Sequence, residues 1–254
     1  MRPLHWIGRK LAHYLSAPRE LVHVSTSRPG LLAATLCKGD VLLVEGTSRF
    51  ASAIRTITQS NWSHAALFIG DALTASTGDP APLFVEADIN AGVRAVPLDH
   101  YAHLHTRICR PVGLDDTEID ALIAYAVARI GNQYDLRNVI DLARYLVRPP
   151  PVPDRYRRRL LAFGGGDPTR AICSSLIAAA FASIRYPVLP DIELVRGKGV
   201  GGEEQAREIL HIRDSSLYAP RDFDMSPYFR IVKPTLQHGF DPHALTWAPA
   251  ADQD

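Results

Sequence analysis

The feature that most constrains this chain is a run of short apolar segments between residues 41 and 112, each closed by turn-forming residues. Val41–Val44 follows a Gly39-Asp40 turn, and His64–Ile69 is closed by Gly70-Asp71. Leu83–Ala87 leads through Asn90-Ala91-Gly92 into Gly92–Val96, and Arg107–Val112 reads as one more. Apolar runs of this length, bounded by Gly, Asn and Asp, read as strands. Residues 48–59 interrupt the run with helical spacing, which puts Phe50, Ile54 and Ile57 on one face.

Helical segments follow. Asp115, Asp116 and Glu118 crowd acidic charge into a first turn, where the helix dipole favours it. The apolar positions Ile119, Leu122, Ile123, Ala126 and Val127 continue that helix towards Gly131. A second helical stretch spans Leu136–Val147, and a strongly apolar one spans Thr169–Ile184, beginning at or just before Cys173. Past Pro187 the chain reads as loop-rich, with Phe229–Val232 as a last strand. Strands first and helices afterwards predict an α+β fold, an antiparallel sheet packed against helices.

A chain of 254 residues with 46% hydrophobic content suffices for one substantial core. The expected organisation is an N-terminal amphipathic helical segment over 1–30, a catalytic domain over 31–232 and a tail over 233–254. A Pro-, Gly- and Arg-rich insertion over 148–168 interrupts the domain. The net charge of +1 gives no electrostatic footprint for nucleic acid. Residues 1–24 lack a signal-peptide core, and no apolar run approaches a spanning length, so a cytoplasmic location is expected. Leu4, Ile7, Leu11 and Tyr14/Leu15 on one side, with Arg9 and Lys10 elsewhere, give a short basic amphipathic helix suited to packing on the domain or to peripheral membrane contact. The arginines at 144, 148, 155, 157, 158 and 159 are a solvated face or a contact for anionic headgroups.

Cys37, Cys109 and Cys173 are three isolated thiols with no C-x-x-C, which argues against a disulfide framework and a cysteine-built zinc site. Cys173 stands in Ile172-Cys173-Ser174-Ser175 at a helix start. The dipole there favours thiolate, and the unpaired backbone N–H groups can stabilise an oxyanion. A buried small hydrophobe is the alternative for that thiol, and the ordinary one for Cys37 and Cys109. His64 opens an apolar strand, where a lone histidine is more often structural but where the strand is also a rigid platform for a base. Glu86 sits inside an otherwise apolar strand and is either a solvent-facing residue of a half-exposed strand or, because an embedded carboxylate needs a partner, the candidate to orient His64.

Taken in order, these pieces resemble a known family. The stretches are Gly39-Asp40, Ser63-His64, Val85-Glu86-Ala87 with Gly92-Val93, Gly131-Asn132-Gln133-Tyr134-Asp135, Cys173-Ser174, and Ala219-Pro220-Arg221-Asp222-Phe223 through Ser226. Together they resemble the circularly permuted papain-like amidases of the YaeF/YiiX group, relatives of NlpC-type peptidases and of lecithin–retinol acyltransferase-like enzymes. The resemblance spans about residues 36–232 and implies a permuted papain-like fold. It also implies Cys173 as nucleophile, His64 as base and later acid, Glu86 as its orienting group, and Tyr134 as an active-site tyrosine near the oxyanion site. Ser175 departs from the Cys-Ser-Glu of several relatives.

The expected activity is a cysteine hydrolase that cleaves an amide, ester or thioester through an acyl-enzyme. A lipid-directed acyltransferase or a non-catalytic binding module are the alternatives. The substrate is a small molecule, peptide or lipid; no cofactor is expected, and the oligomeric state is not legible. A rival site, the histidines of Asp99-His100-Tyr101-Ala102-His103-Leu104-His105, has metal-binding chemistry but no partner at a known spacing. Gly197–Gly202 lacks phosphate-loop spacing and reads as a flexible loop.

Overall fold

The structure is a computed structural model and describes residues 29–73, 83–133, 172–198 and 204–247. Residues 1–28 of the expected N-terminal amphipathic segment, the 136–147 helical expectation, Tyr134 and the Arg-rich insertion therefore lie outside the described residues.

The short apolar runs form one antiparallel sheet. Its strands are β1 (Val41–Glu45), β2 (His64–Phe68), β3 (Phe84–Asp88), β4 (Gly92–Val96), β5 (His105–Pro111) and β8 (Phe229–Val232), in the spatial order β4-β3-β2-β1-β5-β8. Helix α1 (Pro29–Thr35) precedes β1, and α2 (Arg49–Thr58) joins β1 to β2. Ser48 caps α2 by accepting from the Ala51 N–H at 3.0 Å. α3 (Asp116–Val127) begins with a reciprocal capping box, in which Asp115 accepts from Glu118 N–H and Glu118 accepts from Asp115 N–H. The acidic cluster read as a helix start is therefore a cap as well as a dipole match. α4 (Ile172–Ser183) carries Cys173, and α5 (Pro220–Met225) precedes β8.

Strand alternation divides the core between the two faces of the sheet. Val41, Leu43, Ala65, Leu67 and Val85 face Leu122 and Ile123 of α3 and Leu176, Ile177 and Phe181 of α4. Leu42, Val44, Ala66, Phe84 and Ile108 face the other way, against Leu32 of α1 and Tyr101. His64, Glu86 and Arg94 alternate onto this second face. The register Ala66↔Glu86↔Arg94 puts Glu86 and Arg94 directly opposite, with His64 one diagonal step away.

The Gly39-Asp40 motif anchors the sheet. Gly39 adopts φ +86, a left-handed conformation that glycine takes without a Cβ penalty. The turn buries Asp40 completely, where both carboxylate oxygens accept from Arg110 on β5, at 2.8 and 2.7 Å, and one accepts from the Cys37 N–H. Burial raises the Asp40 pKa, and Arg110 only partly offsets that rise.

Two expectations change in the C-terminal part. The stretch after Pro187, read as loop-rich, contains the antiparallel ribbon β6 (Asp191–Lys198) and β7 (Glu204–His211), so the Gly197-Lys198 end of the supposed loop is strand. Ile192 and Leu194 alternate as a strand should but stay exposed. A segment that buries so little, punctuated by Pro and Gly, carries a weak strand signal. Within the patternless tail, Pro234–Gln237 forms the short helix α6, started by proline at its first turn.

Candidate active site

Cys173 lies in the first turn of α4, 4% exposed, packed against Ile54 and Phe50 of α2. Ser174 is fully buried and its hydroxyl donates to the Tyr218 carbonyl at 2.7 Å, tying α4 to the segment before α5. Cys173 thereby reaches the end of the sheet where β1 finishes and β2 starts. There it lines a cavity of about 340 Å³ with Gly46, His64, Glu86, Tyr101 and Leu104.

His64 opens β2 with its side chain 24% exposed. Its Nε2 lies 2.5 Å from Glu86 Oε2. Glu86 is held well below the usual carboxylate range: burial opposes this, but His64, Tyr101 and Arg94 outweigh burial. An ionised carboxylate only accepts, so the ring N–H donates to it. That leaves Nδ1 unclaimed by Glu86, on a ring that lines the same cavity as Cys173. Burial disfavours charge on His64, yet the Cys173 sulfur and then Glu86 hold its pKa well above the ordinary histidine value. A thiol beside an imidazole that favours its protonated form is set up to exchange a proton with it.

Glu86 itself is 1% exposed and fully engaged. Oε2 also accepts from the Tyr101 hydroxyl at 2.5 Å, and Oε1 accepts from Arg94 Nε at 2.8 Å. His100 Nε2 stands 3.8 Å from Oε1. The structure thus gathers Cys173, His64 and Glu86, three of the four candidates read from the sequence. It adds Tyr101 and Arg94, which that reading missed. A three-residue Ile89-Asn90-Ala91 loop fixes Asp88↔Gly92, and hence Glu86↔Arg94, so the hairpin itself held the signal for Arg94.

Other motifs serve the frame. Gly92, at φ +73, lets β4 meet the loop after α3: a Cβ there would lie 2.3 Å from the Asn132 carbonyl oxygen. Val93 N–H donates to Asn132 and Gly131 N–H donates to Val93, at 2.9 and 2.8 Å. Gly92-Val93 and Gly131-Asn132 are therefore two halves of one contact. Asp222 accepts from the Ala219 N–H at 2.8 Å and caps α5, while Arg221 donates to the Thr58 carbonyl.

The rival histidines do not converge. His100 ends a 3-10 turn beside Arg94, whereas His105 opens β5 and stacks on Trp62 with ring centroids 5.2 Å apart. Among the described residues, no group of three or more His, Cys, Asp or Glu side chains is arranged to hold a metal. Nor is any helix among them long and apolar enough to cross a membrane.

Residues 35–145 match the model of a known family, described as permuted papain-like amidase enzyme, YaeF/YiiX, C92 family. Over these residues the resemblance read from the sequence is borne out. So is the α+β fold with an antiparallel sheet packed against helices. At the coarse level, the YaeF/YiiX match supports a papain-like cysteine hydrolase. A crystal structure of metalloprotein YiiX from Escherichia coli O157:H7 is similar, at 17% identity and a TM-score of 0.45, covering 77% of this chain and 96% of that one. No curated protein matches.

Proposed function

We propose that this protein hydrolyses an amide, ester or thioester through an acyl-enzyme on Cys173, with His64 as general base and acid and Glu86 as its orienting carboxylate. The observation that carries this is the position of His64, bonded to a buried carboxylate at Nε2 and lining the same cavity as Cys173. His64 takes the thiol proton and the sulfur attacks the carbonyl carbon. A C–S bond forms as the carbonyl electrons move to oxygen, giving an oxyanion near the α4 start. Collapse expels the leaving group, which receives the proton from His64. Water, deprotonated by His64, then attacks the thioester and returns the free thiol. Tyr134 is retained in this proposal as a donor near the oxyanion.

The cavity's apolar wall, with Phe50 and Leu104, suits the organic part of an acyl group. Acyl transfer differs only in what replaces the water.

Alkylation by iodoacetamide at pH 7, mapped by peptide mass, tests the reading. Cys173 reacts at least about tenfold faster than the exposed Cys37, and His64→Ala removes the difference. Cys109, whose pKa burial pushes up, stays inert. Equal rates at Cys37 and Cys173, or an unaltered rate in His64→Ala, contradict the proposal.

A further inference from the structure

We propose that Tyr101 is a positioning residue, whose hydroxyl holds Glu86 Oε2 against the His64 ring. The inference rests on the thiol-hydrolase reading above and adds a group that the sequence motifs do not contain. Glu86 has two acceptor oxygens and strong donors on either side. Arg94 approaches Oε1 from β4 with both Nε and Nη2, at 2.8 and 2.7 Å. A guanidinium fork favours a carboxylate that turns both oxygens towards it. The terminal carboxylate torsion is soft, so covalent geometry does not oppose that turn. What opposes it are the donors at Oε2: the His64 ring N–H, and beside it the Tyr101 hydroxyl at 2.5 Å.

The Tyr101 ring is placed independently of Glu86. It is 1% exposed, edge-on to Phe84 at 5.3 Å and to His100 at 5.0 Å. Its backbone N–H donates to Leu98, and its carbonyl accepts from Leu104 N–H. The hydroxyl direction is therefore set by the 98–104 turn, outside the hairpin that carries Glu86 and Arg94. The charged or titratable neighbours of this network are His64 on β2, Asp88 on β3, Arg94 on β4, His100 in the turn and Cys173 on α4. Burial and Glu86 both raise the Tyr101 pKa, which keeps the hydroxyl a donor.

The test measures Cys173 alkylation by iodoacetamide in wild type, Tyr101→Phe, His64→Ala and the double variant. Phenylalanine keeps the ring and removes only the oxygen. Tyr101→Phe slows Cys173 alkylation at pH 7 by about tenfold, the worth of one charge-assisted hydrogen bond, and moves its pH profile towards that of His64→Ala. In the His64→Ala background, Tyr101→Phe has no further effect, because the hydroxyl acts only through the imidazole. An equal slowing in both backgrounds, or no slowing in wild type while His64→Ala slows the reaction, overturns the role of Tyr101 alone. Unchanged alkylation in His64→Ala overturns the thiol-hydrolase reading, and this inference with it.

Discussion

Arg94 stands directly across the β3–β4 ladder from Glu86 and donates to its Oε1 from Nε at 2.8 Å. This places a cation beside a carboxylate that also serves His64, so the Glu86 charge is matched from the strand on its far side. Removing that cation leaves a buried carboxylate with one fewer charged partner. Arg94→Ala is expected to lower unfolding stability by about 2 kcal/mol, within the range for a hydrogen bond to a charged group. Urea denaturation checks it; an unchanged midpoint means that solvent replaces Arg94 at no cost.

Glu86 and His64 should divide the pH dependence of stability between them. The Glu86 pKa is lowered, so its contribution is complete above the ordinary value of 4.5 and is lost as pH falls through the folded value. The His64 pKa is raised, so its contribution is complete below 6.5 and is lost as pH rises through the folded value. Urea midpoints across pH should show Glu86→Gln converging on wild type in acid and His64→Gln converging on it in alkali. Parallel curves over the whole range contradict both assignments.

Asp40 tests the frame apart from the chemistry. Asp40→Asn leaves the Arg110 guanidinium without its carboxylate in a buried setting and should cost about 3 kcal/mol, as when one member of a buried pair is removed. Cys173 alkylation per folded molecule should not change. A slowed thiol at wild-type stability would instead tie the Gly39-Asp40 motif to the cavity.

Gly92 tests the contact between two motifs far apart in sequence. Gly92→Ala strains the backbone at φ +73 and drives a methyl into the Asn132 carbonyl, so a loss of about 3 kcal/mol is expected. Hydrogen exchange should rise at the Val93 and Gly131 amides, which bridge the two segments. Wild-type exchange at both amides would mean that the contact is not made.

Cys173 and Glu86 each carry a local sign, a thiol at a helix start and a carboxylate inside an apolar strand, whereas His64 is legible through the order of the motifs rather than through any feature of its own. Tyr101 carried no such sign. Its hydroxyl reaches Glu86 only after the 98–104 turn folds over the sheet, and in the sequence it hid among histidines that suggested a metal. Conversely, Asp40, Ser174 and Asp222 belong to the ordered motifs without touching the chemistry: they bond to Arg110, the Tyr218 carbonyl and the Ala219 amide. Motif membership and chemical role separate there because a fold needs its frame fixed as tightly as its site. The β6–β7 ribbon was missed for another reason: Ile192, Leu194, Ile209 and Leu210 stay exposed, so this ribbon contributes little to the core that makes a strand legible.

The central claim is that Cys173 carries the acyl group and that His64 loads and unloads it. The most direct measurement is intact and peptide mass spectrometry of protein mixed with an activated ester and quenched with acid at short times. The account predicts an acyl group on Cys173 that forms and then disappears in wild type, and that forms far more slowly in His64→Ala. Acylation spread equally over Cys37 and Cys173, or an adduct on Cys173 whose rate ignores His64, would contradict it.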